Sequence, residues 1–152
     1  MDWLRLGDLL KRKVVLAFGS FDMLHPGHIY YLKSASRYGN LVVVVARNSS
    51  ITRLKGRRPL FDEKSRLRMV SALGFVHKAV LGSRMKRWND IYKILLRYRP
   101  GVIAIGYDQK VDMQYLRSFI KENGLKSRII RIGAYKSSIF KSSKLKKAAG
   151  RV

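Results

Sequence analysis

Val14-Val15-Leu16-Ala17-Phe18-Gly19-Ser20-Phe21-Asp22-Met23-Leu24-His25-Pro26-Gly27-His28 is the stretch on which the fold turns. Residues 14–18 form an unbroken apolar run, the pattern of a strand covered on both faces. The run stops at Gly19. Pro26 then suits the first turn of a helix, where its missing N–H costs nothing, and Ile29, Leu32 and Ala35 follow at helical spacing.

Outward from this unit the alternation repeats. Further apolar runs, rich in Val and Ile, occupy residues 41–46, 76–81, 102–105 and 128–132. Between them lie helical stripes: Arg66, Leu67, Val70 and Leu73; Trp88, Ile91, Ile94, Leu95 and Tyr98; and Leu116, Phe119 and Ile120, closed by Gly124 where a left-handed C-cap residue usually ends a helix. Strand and helix in alternation predict an α/β domain, a Rossmann-like doubly wound sheet of five parallel strands with helices on both faces. In such sheets ligands bind beyond the carboxyl ends of the strands, so the loops after Phe18, Ala46 and Ile105 should share one mouth.

Composition sets the limits. The chain has 152 residues, 47% of them hydrophobic, enough for a single domain over 13–152 with an N-terminal extension over 1–12. Trp3, Leu4, Leu6, Leu9 and Leu10 of that extension are suited to cover a sheet edge or a subunit contact. No apolar run approaches the ~18 residues of a membrane span, and the N-terminus does not resemble a secretory signal. A cytoplasmic protein with no membrane partner is the expectation. Without cysteine there are no disulfides, zinc–thiolate sites or thiol nucleophiles. Lys and Arg number 33 against 9 Asp and Glu, a net charge of +24 that favours anionic partners, nucleotides and nucleic acids alike. The cations are dispersed through the chain, as on a solvated basic surface.

Two of the three histidines, His25 and His28, fall in one four-residue window between strand and helix. The helix that follows should point its N-terminal N–H groups and positive dipole end back at this loop, a ready phosphate site. Gly27 removes a side chain where a ligand approaches the backbone, and nearby phosphates should favour the charged form of either imidazole. After the second strand, Lys55-Gly56-Arg57-Arg58-Pro59-Leu60-Phe61 reads as a mobile cationic loop, and a helix then carries Arg66. Lysine delivers a point charge to phosphate oxygens, whereas arginine can bind them bidentately. After the fourth strand, Gly106-Tyr107-Asp108-Gln109 puts a carboxylate and an amide where they can bond a base or ribose or help hold a metal.

The first of these loops resembles the G-[TS]-F-D-x-x-H-x-G-H signature of the cytidylyltransferase-like, HxGH nucleotidyltransferase superfamily, with Ser20 where Thr is usual. The arrangement of Lys55, Glu63 and Arg66 is similar to the family's Lys-Gly-x-x-Pro loop and acidic-x-x-Arg helix. Residues 100–110 resemble its archaeal-type FAD synthetase branch, and Ser142-Ser143-Lys144-Leu145-Lys146 resembles its late [ST]-[ST]-x-[IL]-[KR] motif, although Ser137-Ser138 offers a second register. The resemblance spans residues 13–146. It implies His25, His28 and Lys55 as catalytic residues, and nucleotide contacts at Gly19, Ser20, Phe21, Gly27, Arg66, Gly106, Asp108, Ser142 and Ser143, with Arg66 also supporting the site from its helix. Acceptor contacts fall to Asp22, Tyr107 and Gln109.

The implied reaction is transfer of AMP from ATP to FMN, giving FAD and pyrophosphate, with Mg2+ or another divalent cation and a homodimeric assembly. No dedicated metal ligand set stands out, and Tyr107, Tyr135 and Phe140 are candidates to line a flavin slot. Two rival functions remain at this stage. One is a cytidylyltransferase joining CMP to glycerol 3-phosphate or another small phosphate, since phosphate motifs alone do not separate the two. The other is a non-catalytic basic nucleic-acid binder, against which stands the absence of a recognised nucleic-acid module.

Overall fold

The computed structural model describes residues 12–136, 138–139 and 141–150, and of Ser142 the backbone alone. The N-terminal extension, Ser137, Phe140 and the Ser142 side chain therefore lie outside the described residues. Strand β1 (Val14–Gly19) leads to helix α1 (Pro26–Ser36), β2 (Asn40–Val45), α2 (Asn48–Lys55), α3 (Glu63–Ser71) and β3 (Lys78–Leu81). A 3-10 turn (Trp88–Tyr92) runs into α4 (Lys93–Tyr98), followed by β4 (Val102–Ile105), α5 (Met113–Glu122), β5 (Arg128–Arg131) and α6 (Ser142–Ala148). All strand pairs are parallel and the sheet order is β3-β2-β1-β4-β5, the doubly wound arrangement that the alternation predicts.

Strand periodicity sorts the core into two layers. Val15, Ala17, Val43, Val45 and Ala104 face one side, where Tyr31, Leu32 and Ala35 of α1 and Val70 of α3 cover them. Leu16, Val42, Val44, Ile103 and Ile105 face the other, under Ile94, Leu95 and Leu116. Successive side chains of a strand point to opposite faces, so an unbroken apolar run is required wherever both faces are covered.

The chain winds outward from β1 to β3 and then crosses back to β4, so the connections diverge between β1 and β4. Two side chains close that split. The Gln109 Nε2 donates to the Phe18 carbonyl at 2.6 Å while its Oε1 accepts from the Gly106 amide at 2.8 Å. Below them the buried Tyr31 hydroxyl donates to the Ala104 carbonyl at 2.9 Å and accepts from the Phe18 amide at 3.4 Å.

Three details depart from the sequence expectation. Residues 48–55 are helical, which the sequence did not show because only Ser50 and Ile51 are buried there and make almost no apolar stripe. Lys55 thus ends a helix, stopped by Gly56 at φ 67°, rather than standing in a mobile loop. The stripe from Trp88 to Tyr98 is not one α-helix: the Asp90 carboxylate accepts from the Lys86 and Arg87 amides and pairs with Lys93, tightening the first turn to 3-10. Ile94 and Leu95 remain buried, whereas Trp88 turns outward. Gly124, by contrast, takes the expected left-handed conformation after α5 at φ 60°.

Replacing Tyr31 with Phe leaves the Ala104 carbonyl without its partner in the core. A loss of about 1–3 kcal/mol is expected, read from the urea midpoint at unchanged m-value.

Candidate active site

Gly19 ends β1 because Phe21 needs the space. With φ 49°, Phe21 folds its ring back over the strand end, and a Cβ at position 19 would lie 2.5 Å from the ring. Buried Phe21 in turn meets the His28 ring edge-on, centroids 5.3 Å apart. His28 stacks on His25 at 3.8 Å and 25°. The loop after β1 therefore brings the two imidazoles together, as the sequence predicts.

The first turn of α1 is not the bare anion cradle expected from its position. His25 is the N-cap, its Nδ1 accepts from the Gly27 amide at 3.1 Å, and its carbonyl takes the His28 amide at 2.9 Å. Pro26 has no amide to offer, so the cap has consumed the donors of this turn. What faces a ligand is side chain. With Nδ1 accepting, neutral His25 carries its proton on Nε2 and is a donor there. His28 Nδ1 is buried with no partner in hydrogen-bonding geometry, the kind of orphan that a bound group relieves.

Burial lowers the pKa of both imidazoles, so the protein's own surroundings favour their neutral form. Burial lowers the His28 pKa to about 3, reinforced by His25 and Lys55, and the Met23 carbonyl opposes this only in part. His25 is lowered by burial against the pull of Asp108. Lys55 donates from Nζ to Ser20 Oγ at 3.2 Å. Its pKa is lowered by burial and by Lys146 and Arg57, with Asp22 and Asp108 acting the other way.

Asp22, assigned to the acceptor from sequence, has both carboxylate oxygens engaged inside the protein. They accept from the Leu60 and Phe61 amides at 2.9 Å each and from Lys146 of α6. Burial pushes the carboxyl up, but Lys146 and the two amides outweigh it and hold the pKa below its ordinary value. Arg66, given both a nucleotide contact and a supporting role, has the geometry of the second. It has no exposed surface, and it donates to the Ser20 and Phe61 carbonyls at 2.6 and 3.0 Å and to Asn48 Oδ1 at 2.9 Å.

Gln109 and Gly106 likewise spend their polar groups on the β1–β4 split and on Arg131, whose Nη1 reaches the Gly106 carbonyl at 2.8 Å. Of the loop after β4, Tyr107 and Asp108 are exposed, the latter 3.8 Å from Lys141. Ser143 is exposed in the first turn of α6. The structure thus gathers Ser20, Asp22, His25, His28, Lys55 and Asp108 at one mouth.

The Cytidylyltransferase-like family matches residues 16–148. The chain belongs to the cytidylyltransferase-like family. It is 41% identical over 133 residues to a FAD synthase of Thermoplasma volcanium, covering 88% of this chain and 91% of that protein. It is 43% identical over 129 residues to a FAD synthase of Methanosarcina acetivorans, covering 84% and 80%. Among solved structures, one described as a lipopolysaccharide core biosynthesis protein from Thermoplasma volcanium GSS1 matches with a TM-score of 0.74 at 44% identity, over 82% of this chain and 99% of that one. A pantoate-β-alanine ligase from Francisella tularensis, 13% identical with a TM-score of 0.58 over 92% of this chain and 70% of that one, shares the fold alone.

Within this cytidylyltransferase-like site, sequence reasoning assigned no role to Lys146, Glu63 or Arg47. Lys146 stood inside a quoted motif, but nothing local shows that it reaches Asp22. Glu63 accepts the Asn48 amide at 2.8 Å and lies 3.4 Å from Arg47, joining the start of α2 to the start of α3. Its position one residue after the Asp62 cap was the available signal.

Two measurements follow from this geometry. Above pH 6.5, the ordinary value for a histidine, the folded and unfolded states both carry His28 neutral. As pH falls below that value only the unfolded state takes up the proton, until about 3. Stability therefore drops towards acid by up to about 1.4 kcal/mol per pH unit from this group. His28→Gln should flatten the slope of unfolding free energy between these limits, and an unaltered slope contradicts the neutral assignment. Arg66→Lys, whose ammonium cannot span three acceptors in a planar fork, should cost at least about 2 kcal/mol in urea unfolding.

Proposed function

We infer that this chain is an FMN adenylyltransferase: it transfers AMP from ATP to FMN and releases FAD and pyrophosphate. The FAD synthase relatives at 41–44% identity over most of the chain support the reaction. The observation that carries it in the structure is the stacked His25–His28 pair, with its unsatisfied Nδ1, beside Lys55 at the carboxyl end of β1.

The chemistry needs no general base. The second pKa of a phosphomonoester lies near ~6, so the FMN phosphate is already a nucleophile at neutral pH. One of its oxygens forms a bond to the α-phosphorus of ATP, and the bond from that phosphorus to the β-bridging oxygen breaks. The electron pair leaves with pyrophosphate. The protein supplies alignment and positive potential where charge builds. His25 Nε2–H and Lys55 are the donors for the α-phosphate oxygens and the leaving group. His28, neutral and stacked on His25, contributes its buried ring nitrogen without adding positive charge beside Lys55.

A divalent cation is part of the same proposal. Among the described residues no group of three or more His, Asp or Glu could hold a metal ion, and Asp22 is fully engaged. Asp108, exposed at the mouth, would help hold a cation brought in on the triphosphate. That is the usual manner of Mg2+ binding to nucleotides. Such an ion supplies charge neutralisation on the phosphates.

The test is product formation. ATP with FMN should yield FAD and pyrophosphate, whereas CTP with glycerol 3-phosphate should yield no CDP product. His28→Ala should lower kcat on the order of 10²–10³ while circular dichroism shows the fold retained. A variant with full activity removes His28 from the mechanism.

A further inference from the structure

A net charge of +24 is far more than a triphosphate needs. The cations are spread along the chain, but the carboxylates are not: residues 23–61 and 123–152 contain no Asp or Glu. The first of these stretches holds α1, and the second holds β5. The fold brings the two together, because α1 covers the sheet face from which Ile130 of β5 points. Side chains alternate along a strand, so Arg128 shares that face with Ile130.

Contacts join the two elements at both ends of α1. At the mouth end the Tyr30 and Tyr135 rings stack, centroids 5.1 Å apart and planes 19° apart, and Lys136 Nζ lies 5.6 Å from the Tyr135 centroid. At the far end, where the Asn40 amide donates to the Lys13 carbonyl at 2.9 Å, Arg128 Cζ lies 5.6 Å from the centre of the Tyr38 ring. Lys33 and Arg37 follow Tyr30 at i+3 and i+7, on one stripe of the outer surface of α1. Tyr30 and Tyr38 are 42% and 46% exposed, and Lys33, Arg37, Arg128 and Lys136 are exposed with them. Among the described residues none of these four cations is paired with a carboxylate. The two tyrosines stand about 12 Å apart along the helix at 1.5 Å per residue, enough for separate bases.

A basic strip with rings set into it suits a single-stranded nucleic acid, whose phosphates follow the cations while its bases stack on the rings. Other occupants fit less well. A second copy of this chain would bring its own excess of positive charge. A membrane surface is held by apolar side chains that insert into it, whereas Lys33 and Arg37 stand between the two tyrosines. Helix α5 also exposes Arg117 and Lys121, but its Tyr115 and Phe119 rings pack on each other at 6.3 Å and it ends in Glu122.

We propose that the α1–β5 face binds single-stranded nucleic acid, a function separate from nucleotidyl transfer, with Tyr30 and Tyr38 as stacking platforms and Lys33, Arg37, Arg128 and Lys136 on the phosphates. The probe is a fluorescein-labelled oligouridylate of about 12 nucleotides, within the usual span of single-strand sites, followed by anisotropy with the full chain. Log affinity should fall against log salt with a slope of about −3, as four phosphate contacts require. Tyr38→Ala should lower affinity on the order of tenfold at unchanged salt slope, and Tyr38→Phe, which keeps the ring, should restore it. Lys33→Glu combined with Arg37→Glu should abolish binding, whereas Arg117→Glu combined with Lys121→Glu on α5 should leave it nearly intact. Each variant should keep the circular dichroism and the rate of FAD formation of the wild type, because the strip lies outside the histidine mouth.

A wild type that does not bind the oligonucleotide overturns the proposal. So does an equal loss in the two charge-reversed proteins, which marks attraction by net charge only, or an affinity indifferent to Tyr38, which removes the stacking. Two further results assign the face elsewhere and overturn it as well. Binding to phosphatidylserine vesicles that needs Lys33 and Arg37, with the oligonucleotide ignored, gives the face to a membrane. A change of mass in solution in the Lys33→Glu, Arg37→Glu protein gives it to a second copy of the chain.

Discussion

A guanidinium taken wholly out of water must have its donors met, and Arg66 meets them with the Ser20 carbonyl, the Phe61 carbonyl and Asn48 Oδ1. Those acceptors belong to the loop after β1, the segment before α3 and the first residue of α2. One buried cation thus fixes the relative position of three pieces of chain that surround the mouth. Among the described residues no carboxylate bonds to it directly. Asp22, Glu63 and Asp62 act on it from farther away, against the burial that lowers its pKa. Phe21, and through it the histidine pair, depends on the strand end that Arg66 holds.

The same mouth shows how a chain of +24 net charge prepares for a polyanion. Lys55 is penalised by burial and by Lys146 and Arg57, and His28 is held neutral beside them. Crowded cations are an electrostatic cost within the protein, and a bound triphosphate would relieve it. Asp22 limits the cost meanwhile. It pairs with Lys146 and accepts two amides, so one carboxylate ties α6 and the segment around Leu60 to the phosphate loop.

Much of this was legible beforehand. The apolar runs marked β1, β2 and β4 because an inner strand covered on both faces has no polar position to spare, whereas the edge strands β3 and β5 keep short apolar stretches beside exposed Lys78, Arg128 and Arg131. The winding followed from the alternation of strands with helices. The His25–His28 window was legible because strand, loop and helix are contiguous, so its geometry is local. Helix α2 was not, since its two buried residues make no stripe. Neither was the outward turn of Trp88, which depends on a carboxylate two residues later tightening a turn that otherwise reads as α-helix.

By itself the sequence determined the doubly wound sheet, the end at which a ligand enters and the pairing of two imidazoles there, because each follows from residue periodicity or from neighbours in the chain. Only the tertiary structure decided which polar groups remain for a ligand. Asp22 meets Lys146 from 124 positions away, Gln109 meets Phe18 from 91, and Arg66 meets Ser20 from 46. A hydrogen-bonding group is available to substrate only if no partner in the fold has claimed it, and partners at such separations leave no mark on local pattern.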